Sequence, residues 1–129
     1  MRLISQNFTA DEVACNCGLC DKSTADVELV WLLELTRQWF GGKPVAVHSW
    51  FRCADHNKKV GSSDTSWHLI GGAADISING VKPIEICRFI RAKFPNQYGV
   101  GIYDWGVHLD VRSAKADWDN RRLAVSVHS

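Results

Sequence analysis

Two histidines and an aspartate in this chain have the types and spacing of ligands for one divalent metal ion. His68 precedes Asp75 by seven positions, with small residues between them, and His108 lies in another apolar stretch. Burying a carboxylate or an imidazole without a partner is costly, so such residues inside apolar strands are expected to be paired or metal-bound. Two imidazoles and a carboxylate suit zinc and leave a fourth position for water, as in hydrolytic sites. The three residues therefore predict a catalytic Zn²⁺ site.

Two further aspartates are candidates for moving a proton at that site. Asp110 follows His108 by two positions, so on a strand both side chains point to the same face. Asp104 lies four positions before His108, at an expected turn. Each could act as a general base toward an attacking water or could instead orient a histidine. The sequence leaves both roles open.

Hydrophobic spacing predicts helices on either side of these residues. A capping box from Thr9 to Glu12 begins a short first helix, and Gly41 and Gly42 end a longer second one. The other predicted helices span about residues 24–40, 54–60 and 83–94. The expected buried faces are Val27, Val30, Trp31, Leu35 and Trp39 in 24–40, and Ile84, Cys87, Phe89, Ile90 and Phe94 in 83–94.

Short apolar runs predict a small sheet that carries the metal ligands. The predicted strands are residues 44–48, 73–78, 100–103 and 107–111, the last two forming a hairpin around 104–106. Gly71 and Gly72 disfavour a helix, so His68 is expected on a loop and Asp75 near the start of a buried strand. The fold class is α+β, a small antiparallel sheet flanked by helices. Residues 112–129 are expected to be a solvated end.

Length and charge narrow the class of protein. A chain of 129 residues is expected to form a single domain over 1–129, and a net charge of +1 argues against a nucleic-acid partner. No run of about 18 apolar residues occurs, so no membrane span is expected. The N-terminus lacks the pattern of a signal peptide, which predicts synthesis in a cytoplasm. A monomer is expected.

The aromatic residues, the remaining histidines and the cysteines leave alternatives open. Trp50, Trp67 and Trp105 flank the proposed site and could form cleft walls or core. His48 is interpreted as a core histidine, and His56 and His128 as surface residues. Five cysteines cannot all pair, so reduced thiols are the default. The cysteines Cys15, Cys17 and Cys20 could also begin a structural zinc site whose fourth ligand would be Cys53 or Cys87, or Cys20 could form a disulfide with one of those two.

Several segments together resemble the zinc D-Ala-D-Ala carboxypeptidase and endopeptidase family, whose fold is shared with hedgehog domains. The matching pattern is Ser66-x-His68-x-x-Gly71-x-Ala73-x-Asp75 followed by His108-x-Asp110. Residues 47–52 and 99–103 extend the resemblance, and residues 8–20 resemble the opening of the small, phage-associated branch.

The resemblance implies a zinc peptidase (peptidase M15-like) acting on stem or cross-link peptides of peptidoglycan, with His68, Asp75 and His108 as zinc ligands. It implies Arg52 as a contact for a substrate carboxylate or carbonyl, although a structural ion pair is the alternative. It also implies a phage or prophage protein that reaches the periplasm or cell wall, or a virion component.

One position departs from the family pattern. Many members carry a catalytic acid three residues before the last histidine, where this chain has Trp105. Asp104 is therefore the preferred base and Asp110 the other candidate. The alternative function is a catalytically weak or inactive zinc-containing binding protein or virion structural protein of the same fold.

Overall fold

Four α-helices and five strands make up the part of the chain that the computed structural model describes, residues 2–20 and 22–122. The helices are α1 (Ala10–Val13), α2 (Val27–Trp39), α3 (Ala54–Lys59) and α4 (Pro83–Lys93). The strands are β1 (Val45–Ser49), β2 (Ala73–Ile78), β3 (Gly99–Ile102), β4 (Val107–Asp110) and β5 (Ala116–Asp119). A single 3₁₀ turn, Trp67–Ile70, precedes β2. The predicted α+β class is confirmed.

The five strands form one sheet in the order β1-β2-β4-β3-β5. The first three neighbouring pairs are antiparallel, and β3 and β4 form the predicted hairpin. In the register of β2 and β4, Asp75 lies opposite His108, while Gly101 of β3 lies opposite the same histidine on its other side. The central strands therefore bring two of the predicted ligands together.

Alternation along the strands separates a core face from a polar face. On β2 and β4 the side chains of Ile76, Val107 and Leu109 are fully buried in the hydrophobic core. Asp75 and His108 alternate with them, so they point to the opposite face of the sheet. The strand pattern that forms the core thus also aims the ligands away from it.

Residues 116–119 correct the prediction of a solvated end and of a purely antiparallel sheet. They form β5, which pairs parallel with β3 along Gly99 to Ile102. The strand is short, and its pattern alternates half-buried and exposed positions, so it lacks the apolar run by which strands are recognised. Residues 123–129, including His128, lie outside the described residues.

The buried face of α2 also differs from the prediction. Val27, Trp31 and Trp39 are more than half exposed, and the helix instead buries Leu29, Leu32, Leu33 and Thr36. Both sets have helical spacing, and the leucines face the core. The two tryptophans instead pack against phenylalanines of α4 and its C-cap: Trp31 contacts Phe94, and Trp39 stacks on Phe89.

Helix α4 buries fewer side chains than predicted. Phe89 and Ile90 are buried as expected, and Ile86 joins them in place of Ile84 and Cys87.

Among the described residues, none of the helices combines the length and apolar character needed to cross a membrane.

Candidate metal centre

The three predicted ligands converge on one point of the polar face. One donor atom from each of His68, Asp75 and His108 lies within 4.8 Å of the other two. Nε2 of His68 is 3.3 Å from Oδ2 of Asp75, and Nδ1 of His108 is 3.0 Å from Oδ1. The residues come from a 3₁₀ turn and two strands, so the tertiary structure assembles the set.

The 3₁₀ turn presents His68 with a fixed tautomer. Ser66 caps the turn by accepting from the His68 N–H, and Gly71 ends it in the left-handed region at φ 72°, where a Cβ would collide with the Thr24 carbonyl. The imidazole is buried, and its Nδ1 lies 2.6 Å from the Trp50 carbonyl oxygen. Because a carbonyl only accepts, Nδ1 carries the proton in the neutral ring, which leaves the Nε2 lone pair for a metal ion on the Asp75 side.

Asp110 orients the other histidine from behind. Its Oδ2 accepts a hydrogen bond of 2.8 Å from Nε2 of His108, which turns Nδ1 toward Asp75. This carboxylate–histidine pair is the arrangement that fixes a metal ligand and increases its basicity. Asp110 and His108 point to one face of β4, as alternation predicts.

Asp110 is also saturated with donors. Its side chain is fully buried and accepts two hydrogen bonds from the Arg112 guanidinium, at 2.8 and 2.7 Å, and one from the Gly99 N–H at 3.1 Å. A general base needs a free lone pair within reach of the proton that it takes. The geometry therefore favours the orienting role for Asp110.

Hydrogen bonds around the site set the protonation of its members. Burial lowers the pKa of His108, but its bonds to Asp110 and Asp75 outweigh burial and raise that pKa above the ordinary value. Burial raises the pKa of Asp75, but the hydrogen bond from His108 and the neighbouring His68 ring bring that pKa well below the usual range. A metal ion at Nδ1 of His108 would therefore displace a proton, so binding is linked to proton release.

The donor set fits zinc. Zinc bonds of about 2.0–2.2 Å in a tetrahedron separate neighbouring ligand atoms by roughly 3.2–3.6 Å. The distance from His68 Nε2 to Oδ2 of Asp75, 3.3 Å, lies in that range, and the distance from His108 Nδ1 to Oδ1, 3.0 Å, is slightly shorter. Each histidine has its other nitrogen engaged by a carbonyl or carboxylate, as ligating histidines do. Both the atoms and their partners suit a Zn²⁺ ion on three protein ligands.

Arg52 approaches the site from the end of β1. Its guanidinium donates to Oδ2 of Asp75 at 3.1 Å and to Oγ of Ser49 at 3.1 Å. The side chain also lines the cleft. Arg52 therefore forms the predicted ion pair with Asp75 and lies in the cleft wall, whereas its contact with a substrate carboxylate or carbonyl stays a prediction.

Asp104 does not join the other predicted residues. It lies exposed on the turn between β3 and β4, where its carboxylate accepts from the Arg122 N–H at 3.3 Å, and it is absent from the cleft walls. Trp105 takes the neighbouring place at the cleft. The role of base for Asp104 stays a prediction, and in this arrangement it would require the turn to move.

A cleft of about 530 Å³ opens over the ligands. Its walls include Trp67 and Trp105, as one of the two interpretations of these residues expected, whereas Trp50 is fully buried core and donates to the Gly71 carbonyl. The interpretation of His48 as a core histidine is wrong. His48 is exposed on the edge strand β1, where its Nε2 lies within hydrogen-bonding distance of Ser77.

Two cleft residues, Trp118 and Arg112, were not singled out by the sequence analysis. Trp118 of β5 packs against His108 with ring centroids 5.0 Å apart, and the Arg112 guanidinium lies over its indole at 5.5 Å. Arg112 also binds Asp110. In the sequence, both residues lie in the polar segment that follows β4. Because that segment has no apolar run, it was not recognised as a strand, and its arginine and tryptophan were not assigned to the site.

Gly99 gives the first testable prediction. Its Cα faces Asp110, and an added Cβ would collide with that carboxylate. The Gly99→Ala variant is expected to displace Asp110 and to weaken zinc binding by roughly 10–100-fold, measured by competition with a chromophoric chelator. Zinc affinity equal to that of the wild-type protein in a folded Gly99→Ala variant would contradict the positioning role of Asp110.

A small α+β domain that brings two histidines and an aspartate together from a 3₁₀ turn and two central strands, in the wall of an open cleft, has the ligand set of a mononuclear zinc hydrolase. Residues 6–110 match the family described as Peptidase M15. The chain belongs to that family, as its sequence motifs predicted.

A curated relative of this chain is named as a zinc peptidase. The chain is 35% identical over 78 residues to the zinc D-Ala-D-Ala carboxypeptidase of Streptomyces albus G. The match covers 54% of this chain and 31% of that protein, so this chain corresponds to about a third of the relative's length. Family and relative together support a zinc peptidase at the level of the family.

Proposed function

We propose that the protein is a zinc peptidase that hydrolyses peptide bonds of bacterial peptidoglycan, as a D,D-carboxypeptidase or an endopeptidase. The observation that carries the proposal is the His68–Asp75–His108 set with a carbonyl and a carboxylate behind its two imidazoles, at the floor of an open cleft. The relative named for D-Ala-D-Ala carboxypeptidase activity supplies the substrate class.

The chain's own residues supply binding and orientation. A zinc ion bound by the three ligands would acidify water toward neutral pH and polarise the scissile carbonyl. Asp110 and the Trp50 carbonyl hold the imidazoles in the ligating tautomers. Trp67, Trp105 and Trp118 offer apolar walls on which a peptide can pack.

The charges of the cleft suit an anionic substrate. Arg52 and Arg112 are balanced by Asp75 and Asp110 among the cleft-lining side chains, so a dication would make the site net positive. A free peptide carboxylate would then be attracted, and Arg52 is the guanidinium next to the metal ligands that could receive it.

A second candidate function has its own observation. Among the residues that the structure describes, the cleft contains no carboxylate other than Asp75, a ligand, and Asp110, which is saturated by its donors. A protein of this fold without a free base would bind zinc and peptide but turn over slowly. The alternative is therefore a zinc-containing binding protein with weak or no peptidase activity.

Digestion of purified muropeptides separates the two functions. Zinc content is measured first, and products are then followed by mass spectrometry with and without a chelator. Chelator-sensitive cleavage supports the peptidase and identifies the bond from the fragment masses. Stoichiometric zinc at the His68–Asp75–His108 site without cleavage of any muropeptide would reject the peptidase in favour of the binding protein.

Arg52→Lys tests the carboxylate contact. Lysine keeps the charge but loses the planar fork, and losing a charge-assisted hydrogen bond of about 1.5–3 kcal/mol predicts a fall in kcat/KM of roughly 10–100-fold. The loss is expected for a peptide with a free C-terminal carboxylate and not for the same peptide as its amide. An equal loss for both substrates would mean that Arg52 acts as a structural partner of Asp75.

A further inference from the structure

Four cysteine sulfurs converge at a second place in the molecule. Cys15, Cys17 and Cys20 follow α1, and Cys53 precedes the first residue of α3. Their Sγ atoms all lie within 4.8 Å of one another, with 3.7 Å between Cys15 and Cys53 and 3.4 Å between Cys17 and Cys20. Of the two residues that the sequence offered as a fourth ligand, the fold brings in Cys53 and leaves Cys87 on α4.

The spacing of the sulfurs suits a tetrahedral thiophilic ion. Zinc–sulfur bonds of about 2.3 Å in a tetrahedron separate the sulfurs by about 3.8 Å. The Cys15–Cys53 distance of 3.7 Å agrees with that value, and the Cys17–Cys20 distance of 3.4 Å is slightly shorter. The Cys17-x-x-Cys20 segment has the short spacing that lets one loop supply two ligands to zinc. Four protein ligands leave no position for water, so the site would be structural.

Backbone amides point at the sulfurs. The N–H groups of Leu19 and Cys20 both lie 3.3 Å from Sγ of Cys17. The Cys53 N–H donates to Sγ of Cys15 at 3.3 Å, and the His56 N–H donates to Sγ of Cys53 at 3.4 Å. Amide donors stabilise negative charge on sulfur, and zinc binds the thiolate form. Three of the four sulfurs therefore already accept the amide hydrogen bonds that zinc-bound thiolates accept.

We propose that Cys15, Cys17, Cys20 and Cys53 bind a structural zinc ion, separate from the His68–Asp75–His108 site. The ion would tie the segment after α1 to the residue that follows Arg52. Residues next to these cysteines in sequence already meet: the Phe51 N–H donates to the carbonyl of Val13, the last residue of α1, and Phe8, which precedes α1, packs edge-on against Trp50. The cysteine site thus braces the loop that presents Arg52 to the cleft.

Zinc stoichiometry under reducing conditions tests the proposal without reference to activity. The wild-type protein is expected to hold about two zinc ions per chain when both sites are occupied. Cys20→Ser should lose about one, and Cys87→Ser, the control cysteine outside the cluster, should lose none. His68→Ala, which leaves the four cysteines intact, should retain the zinc of the cysteine site.

Cobalt gives a second measurement if Cys20→Ser fails to fold. Cobalt bound by His68→Ala protein should show the intense thiolate-to-metal charge-transfer bands of a tetrahedral sulfur site, and these bands should persist in His68→Ala with Cys87→Ser. Cobalt without those bands, zinc-free His68→Ala protein, or an intact mass showing disulfides among the four cysteines after purification under reducing conditions would overturn the proposal. None of these results depends on whether the protein cleaves a peptide.

Discussion

Replacement of His68 or His108 by alanine is expected to remove the zinc ion held with Asp75 and to abolish measurable hydrolysis. Each histidine supplies one of three donor atoms that converge on a single point. Two protein ligands do not make a site of this class, and the metal contributes several kcal/mol of transition-state stabilisation. A fall of roughly 1000-fold or more in kcat/KM follows, measured with zinc content on the same samples.

His48→Ala is the matched control for zinc content. His48 lies on β1, next to the strand that carries Asp75, but its Nε2 bonds to Ser77 and it is not among the converging donors. This variant is expected to retain the zinc of the wild-type protein. Retention of zinc at this site in both His68→Ala and His108→Ala would reject the ligand assignment.

Asp110→Asn is expected to weaken zinc binding by roughly 10–100-fold while most of the fold remains. The substitution removes the negative charge that accepts the Nε2 proton of His108, and it also removes the ion-pair partner of Arg112. Since the Arg112 side chain is 33% exposed, water can solvate its charge, and the expected loss in the free energy of unfolding is about 1–3 kcal/mol. Zinc affinity and chemical denaturation measure the two effects.

The pKa of His108 shows whether Asp110 orients this histidine or only contributes to the stability of the fold. The hydrogen bond to Asp110 opposes burial and raises the pKa of His108, so Asp110→Asn should lower that pKa in the metal-free protein. Titration of the histidine ring signals by NMR measures the shift. An unchanged pKa would contradict the orienting role, whatever happens to stability.

Asp104→Asn completes the comparison, because Asp104 lies outside the cleft and bonds to Arg122. Its zinc affinity should equal that of the wild-type protein. Turnover lost with zinc retained would identify Asp104 as the base that the sequence motif suggested. Turnover retained would show that the base role lies elsewhere.

The sequence by itself determined the four helices, the first four strands and the face of β4 that carries His108. The strand at 73–78 has its predicted bounds, and the capping box at Thr9 begins α1 as predicted. Alternation along a strand is a local property of the backbone, so it correctly put His108 and Asp110 on one face. Such features depend on neighbours within a few residues, which is why the motif could be recognised without a structure.

Contacts between distant segments were decided only by the tertiary structure. The α2 sequence contains two apolar stripes with helical spacing, and only packing against the core selects the leucines. Trp118 enters the cleft because β5 joins β3 in parallel, a pairing with no apolar run to signal it.

The cysteine cluster and the partners of Asp110 have the same origin. Cys53 meets Cys15 across 38 positions of the chain, and Asp110 meets Gly99 through the register of β3 and β4. Spacing in sequence can identify candidate ligands, but the choice between Cys53 and Cys87, or between a base and an orienting carboxylate, depends on which donors the folded chain places within hydrogen-bonding or coordination distance.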